Sequence, residues 1–302
     1  MKIGISIASA YQTTDVRHGA SQMISRAKAA ATAGLDSIFV GDHHNVPMPY
    51  YQNIPIMGRL LAEWDSRDAG VLMLLPLWNP VLAAEQVATL ASIAEGKFIM
   101  QCGLGSGARQ FTAMGTNIKY RPSAFEQSLD CMRALWSGET VSLDGRWKFS
   151  GAKIAPLPPS KIEVWIGASA PVAIDRAARM GDVWLADPGM LLKQAGIAIN
   201  VYQAALARHN ITTPETIAIR RDVYVAESGE DAAKVREELS KGGYRGFDPE
   251  ALIIGTPIDV AAQFQSFEKL GYTDIIIRNC HSAAEKALAS TARLANVKNL
   301  LT

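Results

Sequence analysis

Short apolar runs alternate along this chain with longer amphipathic stretches, and the alternation repeats about eight times. That pattern constrains the fold more than any other feature of the sequence. A strand followed by a helix, repeated, gives parallel strands, because a parallel crossover needs a helix-length connection. Eight units favour closure into a ring over an open sheet. One (β/α)8 barrel takes about 250 residues plus insertions, and the chain has 302. The expected fold class is α/β, a (β/α)8 TIM barrel with insertion loops at the C-terminal face, as a single domain over 1–302.

The expected strands are Ile3–Ala8, Ser37–Val40, Val71–Leu75, Phe98–Cys102, Val164–Gly167, Val183–Ala186, Ile217–Ala226 and Asp274–Arg278. Helices are expected over Ser21–Ala33, Pro80–Ala94, Ser123–Trp136, Pro171–Met180, Leu191–Arg208 and Asp231–Ser240, and from Thr256 to Leu270. Two of them open on an N-cap followed by proline, Asn79-Pro80 and Thr256-Pro257, a strong start signal. Gly34 and Gly271 mark helix ends. Three segments break the rhythm. Asn45–Asp68 reads as a long loop. Gly138–Pro159 holds a hairpin (Thr140–Ser142, Trp147–Phe149) and a Pro-rich exit. Lys241–Ile254 is Gly-rich and is a candidate mobile flap. Long loops in a compact domain tend to be functional or disordered.

Composition removes several function classes. Thirty Lys and Arg against 29 Asp and Glu leave a formal net charge of +1, which gives no reason to expect nucleic acid or an anionic membrane. The cysteines, Cys102, Cys131 and Cys280, are odd in number and far apart. They suggest neither a disulfide framework nor a zinc ribbon, and the expected location is cytoplasmic. No stretch approaches the roughly 20 apolar residues of a membrane span.

A (β/α)8 barrel carries its site at the C-terminal ends of the strands, and three segments follow strands directly. Gly41-Asp42-His43-His44 follows the second. Neighbours in an extended segment point to opposite sides, so one histidine is expected to face the mouth. It would act as a general base or ligand donor, or as a hydrogen-bonded structural group. The remaining histidines, His18, His209 and His281, form no metal-binding spacing. Gly103-Leu104-Gly105-Ser106-Gly107 follows the fourth strand. It lacks the lysine of a phosphate loop and the spacing of the dinucleotide fingerprint, and by itself it reads equally as a tight turn. Gly167-Ala168-Ser169-Ala170 precedes a helix opened by Pro171. Ser169 is either an ordinary helix cap or a donor to an anion at the helix N-terminus. Cys102 reads as a small buried hydrophobe and most tryptophans as packing.

Five stretches in order resemble the bacterial-luciferase-like flavin monooxygenase superfamily: Ala33–His44 (AGLDSIFVGDHH), Leu74–Gly115, Arg121–Phe149, Ile162–Leu185 (IEVWIGASAPVAIDRAARMGDVWL) and Ile253–Ile277. The resemblance spans nearly the whole chain. It implies a (β/α)8 barrel holding a flavin across its mouth, with His43 matching the family's catalytic histidine and Asp42 the acidic residue before it. Gly167, Ala168 and Ser169 match the segment holding the flavin phosphate, with Gly105 and Ser106 in the Gly-rich loop as further contacts. Val71 and Leu72 match a strand-three bulge that backs the ring. Luciferase itself has a Cys-Arg pair where this sequence has Gly103-Leu104. Its phosphate-binding arginine is therefore missing at that point, Arg109 is the candidate substitute, and light emission is not implied. The activity expected from the resemblance is an FMN-dependent monooxygenase acting with O2 on a small organic substrate. It would be fed reduced flavin by a separate NAD(P)H:flavin reductase, since no dinucleotide fingerprint is present. The alternatives are an F420-dependent hydride-transfer oxidoreductase and a flavin-binding protein without turnover. A homodimer is the family expectation.

Overall fold

The computed structural model describes residues 1–301. In chain order its elements are β1 (Lys2–Ile7), α1 (Val16–Thr32), β2 (Ser37–Val40), α2 (Asn53–Leu61), β3 (Asp68–Met73), α3 (Pro80–Ile93), β4 (Phe98–Cys102), α4 (Ala108–Ala113), α5 (Arg121–Trp136), β5 (Val141–Asp144) and β6 (Lys148–Ala152). There follow β7 (Glu163–Ala168), α6 (Pro171–Met180), β8 (Val183–Ala186), α7 (Leu192–Arg208), β9 (Ala218–Val225), α8 (Gly229–Gly242), β10 (Ile253–Gly255), α9 (Pro257–Lys269), β11 (Asp274–Asn279) and α10 (Ala284–Leu301). Strand pairing runs β1-β2-β3-β4-β7-β8-β9-β11 and returns to β1, with short β10 added beside β9. This is the (β/α)8 barrel that the alternation predicts. The β5–β6 hairpin is antiparallel and stands apart from that sheet.

Local chemistry accounts for the elements. Strands β2 (SIFV) and β8 (VWLA) are buried at every position. Parallel strands covered on both faces read as continuous apolar runs for that reason. Asn79 caps α3, its side chain accepting from Val81 and Leu82 N–H at 2.9 and 3.4 Å. Thr256 and Asp259 form a reciprocal capping box at the start of α9.

The described residues form two compact units. One comprises 1–8, 20–39 and 165–301. Its paired strands run parallel, β1 with β11, β11 with β9, β9 with β8 and β8 with β7. The other comprises 9–19 and 40–164. It holds the parallel pair β3–β4, the hairpin and helices α2 to α5.

Two expectations are corrected, and a third is followed along one strand edge. The loop expected over Asn45–Asp68 contains α2, which buries Ile56, Met57, Leu60 and Leu61. Pro55 and Gly58 look like breakers in sequence, but Pro55 lies in the first turn, where its missing N–H is not needed. Burying such side chains contributes about 1.5–3 kcal/mol each, more than a glycine costs in a helix. The expected flap is also partly structured, with Lys241 and Gly242 ending α8 and Ile253 opening β10. Finally, β3 runs in unbroken register against β4 from Ala69↔Phe98 to Met73↔Cys102, so no bulge interrupts Val71-Leu72 on that edge.

Candidate active site

The first cluster lies after β2. Asp42 is 1% exposed. Its Oδ2 accepts from Leu74 N–H at 2.7 Å and from Trp78 Nε1–H at 2.8 Å. His44 turns inward, its Nε2 3.1 Å from Asp42 Oδ1. That approach lies off the angle of a hydrogen bond, and neither atom has a hydrogen-bond partner among the described residues. The His44 ring meets Trp78 edge-on at 5.4 Å, and its backbone N–H points to Gln110 Oε1 at 3.4 Å. His43 turns the other way, is exposed, and meets the Tyr50 ring edge-on at 5.7 Å. Gln52 Nε2 donates to the His43 carbonyl at 3.2 Å. The two histidines thus divide as extended backbone requires: one faces outward, the other rests on a buried carboxylate.

Asp42 is therefore a hub that fixes the loop between β3 and α3 and orients the segment bearing His43. Asn53, which sequence reading did not single out, does a similar job. It is fully buried, and its Nδ2 donates to the Leu72 carbonyl at 2.7 Å. This holds the end of β3, where Val71 is buried and Leu72 partly exposed. Gln110, also missed, donates to the Ser106 carbonyl and so ties the Gly-rich loop to α4. Gly105 and Gly107 adopt φ of +72° and +85°, which explains the glycines. Ser106 and Arg109 are exposed.

The second cluster follows β7. Helix α6 is capped by Ala170, which supplies no side-chain hydrogen bond. Ser169, one residue earlier, is exposed and is not the cap. Pro171 has no N–H and the Ala173 and Ile174 N–H groups donate to the Ala170 carbonyl, so the Val172 N–H is left without a side-chain acceptor, with Ser169 just ahead of the helix, an arrangement suited to an anion. Gly167 is exposed and Ala168 buried, and the Ala168 carbonyl accepts from Trp184 Nε1–H at 2.9 Å. Ser169 lines a cavity of about 470 Å³ with Ile174, Asp187, Met190, Gln194, Phe247 and others. Asp248 is a further wall, and none of the lining residues is basic.

The remaining candidates are structural. All three cysteines are free and buried, and burial pushes the Cys131 thiol up to about 11 and Cys280 to about 12. Neither is a thiolate near neutrality. The indole N–H groups of Trp64, Trp136 and Trp147 donate within the fold. Among the described residues no three His, Cys, Asp or Glu side chains gather to hold a metal, and no helix is long and apolar enough to cross a membrane.

The family model of the luciferase-like monooxygenases matches residues 1–252. The chain belongs to that family, whose members are oxidoreductases acting on small molecules. An F420-dependent glucose-6-phosphate dehydrogenase of Nakamurella multipartita is 27% identical over 192 residues, 59% of this chain and 56% of that protein. The chain thus spans little more than half the length of such relatives. The oxygenating constituent of 3,6-diketocamphane monooxygenase from Pseudomonas putida, in complex with FMN, superposes with a TM-score of 0.83 at 16% identity, covering 100% of this chain and 99% of that one. An F420-dependent secondary alcohol dehydrogenase superposes at 0.81 and 15% identity, with the same coverage. At such identities the two structures establish the shared fold.

Proposed function

We propose that this protein is an oxidoreductase that transfers a hydride between deazaflavin F420 and a small organic substrate. The resemblance in sequence puts FMN first, but relatives named for F420 move the weight to the deazaflavin. The observation that carries cofactor binding is the start of α6. Its uncapped first turn and the free-standing Ser169 hydroxyl fit a cofactor phosphate, with Gly167 and Ala168 allowing close approach. Val71, Leu72, Gly105, Ser106 and Arg109 are the proposed further contacts.

When bound, F420 would supply the two-electron hydride chemistry. The chain's own residues bind, orient and move protons. His43, exposed and steadied at its carbonyl by Gln52, takes the proton from a substrate hydroxyl as the hydride leaves, or returns it in the reverse direction. Asp42 positions the His43 segment from below without itself reaching the substrate.

A second reading, FMN-dependent monooxygenase, is favoured by one specific observation. The cavity beside Ser169 carries Asp187 and Asp248 and no basic residue. Repulsion from those carboxylates grows with each further negative charge, so it opposes a cofactor that ends at its phosphate less than one that carries an oligoanionic tail. Only this reading requires a separate flavin reductase. Both readings are compatible with a homodimer.

Titration with F420, FMN and anaerobically reduced FMN, followed by absorbance or fluorescence, tests the proposal. Preference for F420 supports hydride transfer, and preference for reduced FMN replaces it with oxygen chemistry. Binding of none overturns both.

A further inference from the structure

Strand β4 reads FIMQC, and all five of its residues are buried. Gln101 is the polar exception in that run. It is 1% exposed, and its Nε2 is buried with no hydrogen-bond partner among the described residues. Taking a carboxamide out of water without a partner is costly, and a methionine of the same length would fill the space without that cost. Buried polar groups are paired almost everywhere in folded proteins, so an exception points to a partner that arrives from outside the chain.

Strand register fixes where this side chain points. Gln101 is level with Leu72 of β3, and Cys102 with Met73. Paired residues share a face of a sheet, and successive residues take opposite faces. Met73 faces α2, where Asn53 Nδ2 lies 3.5 Å from its Sδ. Gln101 and Leu72 therefore share the face turned away from α2, which in a (β/α)8 barrel is the inner one. Gln101 is one residue short of the C-terminal end of β4, the end at which such barrels bind.

Its surroundings on that face belong to the candidate site. Leu72 is partly exposed and is one of the proposed cofactor contacts. It packs against the cluster of Leu74, Leu77 and Phe111, as does Trp78, whose indole donates to Asp42. From the opposite side Asn53 holds the Leu72 carbonyl at 2.7 Å, so the strand pair that presents Gln101 is braced. FMN and F420 share a ring whose pyrimidine edge is an imide, an N–H between two carbonyl groups. A carboxamide sets N–H donors beside a carbonyl acceptor, the complement of such an edge.

We propose that Gln101 binds the cofactor ring, its carboxamide hydrogen-bonding the imide edge. The inference rests on the oxidoreductase reading and adds to its site a residue that selects an imide-bearing ring over a plain aromatic one, because a site built to hydrogen-bond a group rejects ligands that lack it. The same amide lowers the stability of the cofactor-free protein and gains its partner when the ring binds.

The test pairs two readouts on one substitution. Gln101→Met removes the amide and keeps the length. Oxidised FMN and F420 are titrated separately, by fluorescence, into wild type and variant, and both cofactor-free proteins are unfolded in denaturant. The expected result is cofactor binding weakened about tenfold, with a cofactor-free midpoint equal to that of wild type or higher. An amide that serves only the fold gives the reverse, a lower midpoint with unchanged affinity. Undiminished affinity in the variant overturns the proposal, and so does a cofactor-free midpoint below that of wild type. If Gln101→Met does not fold, Gln101→Leu is read in its place by the same two criteria. If neither folds, the carboxamide serves the fold itself and the proposal is overturned. Wild type that binds neither cofactor removes the oxidoreductase reading and this inference together, whereas equal binding by wild type and variant removes this inference alone.

Discussion

Asp42 and His43 are adjacent in sequence and opposite in circumstance. Asp42 satisfies two buried donors, the Leu74 N–H and the Trp78 indole. Replacing it with alanine leaves both unpaired, at about 1–3 kcal/mol each. Asp42→Ala is therefore expected to lower unfolding stability by about 2–5 kcal/mol in denaturant titration, with Asp42→Asn milder because one acceptor survives. His43 is exposed. His43→Ala should leave stability and cofactor affinity nearly unchanged and reduce turnover by about 10²–10⁴. Unchanged turnover would remove His43 from the mechanism. Alternation along extended backbone showed that one of the two histidines faces outward. Which one does so depended on where the buried carboxylate found its other donors, and these lie 32 and 36 residues further along the chain.

At the scale of elements, α6 combines a weak start with a firm middle. Ala170 leaves its first turn without a side-chain cap. Midway along α6, Asp175 accepts at 2.6 Å from Arg208, the last residue of α7, and lies 3.2 Å from His209. An acceptor at the cap is worth about 0.5–2 kcal/mol. Ala170→Asp is thus expected to raise the melting temperature while weakening cofactor binding, because the new carboxylate occupies the N–H proposed for the phosphate. A variant that gains stability with undiminished cofactor affinity would move the phosphate elsewhere. The start and end of α6 were readable from Pro171 and the apolar spacing. Ser169 has the better capping side chain, but with Pro171 at the first helical position the cap falls on Ala170.

For the molecule as a whole, acid is expected to act in two windows. Burial, with Lys286 nearby, holds the His281 imidazole below its ordinary value of 6.5, against the opposing pull of Glu238. The unfolded chain then binds the proton more readily, so stability is full above pH 6.5 and falls as pH drops below it. Asp175 is held below its ordinary 3.8 by hydrogen bonds from Arg208 and His209, and Asp259 by Thr256. Their contribution is present above 3.8 and is lost as pH falls through their lower folded values. Asp259 is exposed and the Asp175 side chain about a third exposed, at 34%, so solvent screening keeps the second step small. Denaturation midpoints measured from pH 8 to pH 3 should show both declines, and His281→Gln should flatten the first. A first window untouched by that change would assign it to another group.

The sequence by itself determined the fold class and most element boundaries, because apolar periodicity and caps are local. Ser37–Val40, Phe98–Cys102, Pro171–Met180 and Val183–Ala186 fall where the pattern puts them. Family membership was legible as well, since five loose motifs in register are far more specific than any one. Only the tertiary structure decided that α2 forms despite Pro55 and Gly58, that Asp42 faces inward, and that Gln101 is buried on the face it shares with Leu72. Each of these depends on partners distant in the chain, whose burial or charge outweighs the local preference.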